Sequence, residues 1–199
     1  MMLVCRWMLI FYRTSEKQLK EVSDLNRVKL VLPSIEHKDE IMNYRKEFIE
    51  NQDSLDGTSY LINHTNFEEW LSSINNNSPK ETIREGSVPA TTFIAVSQEG
   101  SLVGMISIRH QLNDYLFHFG GRIGYSVRKT ERQKGFATEM LALGLSECKK
   151  LQINKVLITC DKDNLASAKT ILNNDGILEN ELLEGKKIKQ RYWINLDNN

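Results

Sequence analysis

The spacing of apolar residues changes period several times along the chain, and each change marks an element. Asn26 to Ser34 has the β-branched, alternating character of a first strand, and Pro33-Ser34 punctuates it with a helix cap. Ile41, Tyr44 and Phe48 then recur at helical spacing, which predicts an amphipathic helix over roughly 35–51. Asp53 to His64 is turn-rich and irregular. A second helix is predicted over 66–75, capped by Thr65 or Asn66, acidic in its first turn, with Phe67 and Trp70 as core; Asn75 to Lys80 ends it.

From Thr91 the period falls to two. Thr92–Ser97 and Leu102–Arg109 read as a hairpin around Gln98–Ser101, and a polar, aromatic connection from His110 to Gly121 leads to a strand over Arg122–Val127. A long helix follows from Gly135 to about Leu151, with Ala137, Leu141, Leu145 and Cys148 along one face. Lys155–Cys160 is a buried strand, Asn164–Asn174 a short helix, and Ile177–Leu183 and Lys187–Leu196 two closing strands around Glu184-Gly185. The order β-α-α-β-β-β-α-β-α-β-β predicts a single α/β layered domain with a mixed sheet flanked by helices.

Composition narrows the function. Lys and Arg number 26 and Asp and Glu 26 in 199 residues, so the chain lacks the basic excess of a nucleic-acid binder. The three cysteines, Cys5, Cys148 and Cys160, are widely spaced and suit a reducing cytoplasm better than a disulfide or zinc framework. Both Cys148 and Cys160 read as small core residues. No His/Asp/Glu spacing suggests a metal site.

The first twelve residues are apolar but interrupted by Arg6, too short to span a bilayer and without a signal-peptide pattern. Residues 1–26 are therefore expected to be an extension rather than a domain, with a short membrane-surface anchor or translated upstream sequence as the alternatives. No stable membrane insertion is expected.

The segment with chemical content is Tyr125 to Met140. A strand ends at Val127, a basic loop follows, and a helix begins near Gly135, where unpaired N–H groups and the positive end of the helix dipole can receive phosphate oxygens. Gly135 lets an anion approach the backbone, Ala137 keeps the surface low, and Arg128, Lys129, Arg132 and Lys134 concentrate positive charge. The loop lacks the Lys-Ser/Thr ending of a Walker motif and the dinucleotide fingerprint.

Arg132-x-x-Gly135-x-Ala137, placed between a strand and a long helix, resembles the acyl-CoA pyrophosphate loop of the GNAT N-acetyltransferase superfamily. The resemblance spans about residues 27–196, and the pieces 108–115 and 157–164 look like an uncharacterised bacterial branch of it. It implies a splayed sheet, with the Val127 strand parting from the Val156 strand, and acetyl-CoA as co-substrate. The backbone of Tyr125 to Val127 would pair with the pantetheine arm. Arg132 and the N–H groups of Gln133, Lys134, Gly135, Phe136, Ala137 and Thr138 would serve the pyrophosphate. Asn164 and Ser167 would lie near the thiol.

Many members carry a tyrosine seven residues after that asparagine, as the acid for the leaving thiolate; here Ile171 stands there. Tyr125, His110 and Tyr192 are the catalytic candidates, with Asp114 and Tyr115 also near the expected acceptor mouth. By position alone His110 reads more readily as a loop or packing histidine than as a base, and Tyr192 as sheet packing, though Tyr192 could face the cleft. The implied activity is transfer of acetyl to a primary amine of a small molecule or peptide by direct attack in a ternary complex. The alternative is a non-catalytic acyl-CoA-binding or sensing module. A homodimer is left open.

Overall fold

In the computed structural model, which describes residues 27–76 and 87–197, four antiparallel strands form one half of the sheet in the order β1 (Val28–Val31), β2 (Ala90–Ser97), β3 (Leu102–Arg109), β4 (Ile123–Val127). The expected N-terminal extension, and most of the Asn75–Lys80 terminator of the second helix, lie outside the described residues. A second half contains β5 (Lys155–Asp161), β7 (Lys187–Asn195) and β6 (Ile177–Glu184), in that order. The two halves meet where the Arg122 N–H donates to the Leu157 carbonyl at 2.7 Å. Beyond that bond β4 ladders only with β3, and β5 only with β7, so β4 and β5 diverge toward Val127.

Helices cover both faces, which is why β3 is buried along nearly its whole length. On one face, α1 (Lys38–Glu50) and α2 (Phe67–Asn76) bury Ile41, Tyr44, Phe48, Phe67 and Trp70 against Ile94 and Met105. On the other, α3 (Phe136–Lys150) and α4 (Leu165–Leu172) bury Met140, Leu141, Cys148 and Ile171 against Ile106, Ile108, Val156 and Ile158. Phe67 and Trp70 are the core residues their spacing predicts, and Cys148 and Cys160 are both buried. Local caps match the sequence signals. The Asn66 Oδ1 accepts from Glu69 N–H at 3.1 Å, and a single 3-10 turn at Ile35–His37 precedes α1, tied by a Ser34 N–H bond to His37 Nδ1 at 3.0 Å.

Two features depart from the expected pattern. The connection His110–Gly121 contains a π-helical turn, Leu116–Gly120, rather than plain loop. Its carbonyls are gripped from three elements: Phe117 O by Arg191 Nη2 at 3.1 Å, Phe119 O by Thr159 Oγ1 at 2.7 Å, and Gly120 O by Arg109 Nη1 at 3.1 Å. The second is the close seat of the α1–α2 loop on β4. Gly57 adopts φ +71°, and a Cβ there would fall 2.6 Å from Tyr125 Cα and collide with the Gly124 carbonyl. Ser126 Oγ holds the loop by donating to Asp56 O at 2.6 Å.

Candidate active site

The turn between β4 and α3 builds a concave row of donors. Gln133 (φ +61°) and Gly135 (φ +87°) both take left-handed backbone conformations. The first helix-internal bond in this segment is Glu139 N–H to Gly135 O at 3.2 Å. Among the described residues, no backbone acceptor pairs with the N–H groups of Gln133, Lys134, Gly135, Phe136, Ala137 and Thr138. Consecutive N–H groups in such a turn at the positive end of a 15-residue helix form an anion nest.

The basic side chains do something other than the sequence suggests. Arg132 donates through Nε to Val127 O at 3.0 Å and pairs through Nη2 with Asp53 at 2.8 Å. Arg128 pairs with Glu47 at 3.2 Å, Lys134 with Glu131 at 3.1 Å, and Lys129 Nζ donates to Asn51 Oδ1 at 2.7 Å. The charges of Arg128 and Arg132 are thus compensated by Glu47 of α1 and Asp53 of the loop after it, and that of Lys134 by Glu131 of the segment itself. What remains directed at an anion is the backbone itself.

Arg27, which carries no local sequence signal, braces the same turn. Its Nη1 donates to Lys134 O at 2.9 Å, its Nε pairs with Glu139 at 3.1 Å, and its guanidinium lies over the Phe136 ring at 4.8 Å. Glu139 also accepts from Val28 N–H at 2.9 Å, which locks β1 to the first turn of α3. These partners are more than a hundred residues apart in sequence, so no local pattern could reveal them.

Across the wedge the structure brings together Tyr125, Asn164 and Ser167. Asn164 caps α4, its Oδ1 accepting from Ser167 N–H at 3.1 Å, which sets the Ser167 hydroxyl toward β4. Tyr125 Oη lies 2.8 Å from Ser167 Oγ. Burial pushes the Tyr125 hydroxyl up to about 12 and the neighbouring Cys160 thiol up to about 11. Both groups are therefore neutral at neutral pH. Ile171 is fully buried in the core between α4 and the sheet. Tyr192 is also buried, with Oη donating to Gln190 Oε1 at 2.7 Å, and burial raises its pKa.

His110 is not brought to this group. Its Nε2 lies 2.8 Å from Thr91 Oγ1, on the α3 side of the sheet, and it is four residues along β3 from Ile106, the partner of Tyr125. At the rise of a strand that is roughly 13 Å. Burial, then the charge of Arg122, lowers its pKa. Tyr115 instead reaches the tip of the β6–β7 hairpin, donating to Glu184 Oε1 at 3.0 Å, and the Asp114 carbonyl lies 2.7 Å from His118 Nδ1. Among the described residues no group of three or more His, Cys, Asp or Glu side chains is placed to hold a metal. No helix among them is long and apolar enough to cross a membrane.

Comparison with known proteins identifies the family and the fold. Residues 27–175 match the acetyltransferase (GNAT) domain family. No curated protein matches the sequence. Solved structures share the fold at low identity. RimL, a ribosomal L7/L12 alpha-N-protein acetyltransferase in complex with coenzyme A, is 17% identical, with a TM-score of 0.65 over 87% of this chain and 96% of that one. The microcin C7 self-immunity acetyltransferase MccE, in complex with acetyl-CoA and AMP, is 16% identical, with a TM-score of 0.62 over 85% of this chain and 93% of that one. A spermidine N-acetyltransferase SpeG chimera from Vibrio cholerae and hSSAT is 16% identical, with a TM-score of 0.59 over 85% and 96%. The profile match covers most of the chain and includes both the donor nest and the wedge, and the chain belongs to the GNAT acetyltransferase family.

Proposed function

We propose that the protein transfers an acetyl group from acetyl-CoA to a primary amine of a small molecule or peptide, by direct attack in a ternary complex. The observation that carries this reading is the unpaired run of N–H groups from Gln133 to Thr138 beside a wedge between β4 and β5. The residues present fit the cofactor: the nest suits a pyrophosphate, the unladdered edge of β4 at Tyr125 to Val127 suits an extended amide-bearing arm, and Asn164 and Ser167 line the far wall. Free, buried Cys148 and Cys160 suit a cytoplasmic setting.

Acetyl-CoA, when bound, supplies an activated acyl carbon. The chain's own residues orient it and manage a proton. A carbon–nitrogen bond forms as the carbon–sulfur bond breaks; one proton leaves the attacking nitrogen for solvent, and one must reach the sulfur. Tyr125 Oη holds a proton on the α4 side of the wedge and is recharged from water. It thereby takes, from β4, the duty that Ile171 cannot perform from α4.

The competing reading is a binding module without turnover, supported by Ile171 at the place of the common tyrosine; the Tyr125 hydroxyl, 2.8 Å from Ser167 Oγ, supports turnover instead. The test is a thiol-release assay with acetyl-CoA and a broad panel of amines. Release above background with at least one amine is expected. Background release with every amine, alongside intact acetyl-CoA binding, would favour the module.

A further inference from the structure

On the α1–α2 face of the sheet, alternation along β3 places Ser107 and Arg109 side by side, next to Gly124 of β4. This is the face opposite the Tyr125 side chain and α3, and so the side left for an acceptor once the nest and the wedge hold a cofactor. The loop that crosses it is strained: Ser59 (φ +48°) and Tyr60 (φ +63°) are consecutive non-glycine residues in the left-handed region. Such backbone costs on the order of 1 kcal/mol per residue and clusters at functional sites. It is held by Ser59 Oγ, 2.6 Å from Thr92 Oγ1, and by Trp70 Nε1 donating to Thr58 O at 2.9 Å. The result is an exposed Tyr60 ring, and Tyr115 is likewise exposed.

Arg109 lies within this frame. Its Nη1 donates to Gly120 O at 3.1 Å and Gly121 O at 3.0 Å, while its Nη2 points to Gly124, 3.7 Å from where a Cβ would stand there. Among the described residues it forms no ion pair, unlike Arg128, Arg132 and Arg191, which all have carboxylate partners. Burial depresses its pKa, and the charges of Tyr60, Asp56 and Tyr115 act in the opposite direction. Asp56 accepts from Ser54 Oγ at 2.5 Å, and Tyr115 donates to Glu184, itself paired with Lys189 at 3.5 Å. A part-buried guanidinium with one nitrogen turned to the strand beside the wedge is suited to a carboxylate.

We propose that Arg109 binds a carboxylate of the acceptor, so that the acceptor is an amine bearing an anionic group a few bonds away, an amino acid or peptide rather than a polyamine. This rests on the acetyltransferase reading above. The same positive charge disfavours the protonated form of an amine placed near it and so favours the neutral nucleophile.

The test uses the whole protein, acetyl-CoA, and matched acceptors: acidic dipeptides and free amino acids, their C-terminal and side-chain amides, and spermidine. The expected result is kcat/KM at least about tenfold higher for carboxylate-bearing acceptors than for their amides, with spermidine poorest, as befits loss of a charged hydrogen bond. Arg109→Met should erase that preference through KM while the acetyl-CoA thermal shift persists. If the variant does not fold, the comparison of acid with amide in the unaltered protein still decides. Equal or better use of amides, preference for spermidine, or turnover confined to amines without an anion would overturn the proposal while leaving acetyl transfer standing. Absence of both an acetyl-CoA thermal shift and any turnover would overturn both.

Discussion

Tyr125→Phe is expected to lower kcat by roughly a hundredfold or more, the usual scale for a lost general acid, while leaving acetyl-CoA affinity within about a factor of three. The hydroxyl reaches across from β4 to α4, 2.8 Å from Ser167 Oγ. Burial favours its neutral form and pushes it up to about 12. The unaltered enzyme should therefore show activity rising with pH as the acceptor amine loses its proton, with no descending limb from this group below about pH 10. Steady-state kinetics across pH, with cofactor affinity measured separately, checks both points. A Phe variant with unchanged kcat would remove Tyr125 from proton delivery and mean that the sulfur leaves as the thiolate without its help.

Gly57→Ala should be the most disruptive added methyl group among the described glycines. The added carbon would meet the Gly124 carbonyl and lie 2.6 Å from Tyr125 Cα, backbone against backbone, with φ already at +71°. Overpacking and left-handed strain together predict a loss of about 3 kcal/mol or more. The α1–α2 loop would lift from β4, breaking the Ser126–Asp56 bond and withdrawing Tyr44 Oη from its 3.0 Å contact with Ser126 Oγ. Denaturant unfolding should show a lowered midpoint. In any folded fraction, acceptor KM should rise more than cofactor affinity falls, because the loop roofs the acceptor face rather than the nest. A stable variant with unchanged acceptor KM would contradict the role given to this contact.

The elements best foreseen are those whose pattern is local. The β2–β3 hairpin shows its alternation, α3 its helical stripe ending in Cys148, and α4 its Asn164 cap, and each lies where the spacing puts it. The anion nest was also legible, because a strand, a glycine and a helix start are adjacent in the chain. Its charge was misleading. Arg128 and Arg132 look like phosphate ligands until Glu47 and Asp53 arrive from α1 and the loop behind it. The π-helical turn, the Arg27 brace and the unpaired state of Arg109 were hidden for a related reason. Each depends on other elements: Arg191 and Thr159 for the turn, Lys134 and Glu139 for Arg27, and, for Arg109, two backbone carbonyls as partners with no ion pair among the described residues. Tyr125 was visible as a candidate, but only the approach of α4 shows what its hydroxyl faces.

The most direct test of the central claim is calorimetric titration of acetyl-CoA into the unaltered protein and into Gly135→Val. The valine would carry a branched side chain at φ +87°, with its Cβ 3.1 Å from Arg27 Nη2, in the middle of the donor row. Saturable one-to-one binding, weakened at least about tenfold by the substitution in a protein that remains folded, is the predicted result. Absence of binding to the unaltered protein, or equal affinity in the two, would contradict the assignment of this nest to the acyl-CoA pyrophosphate.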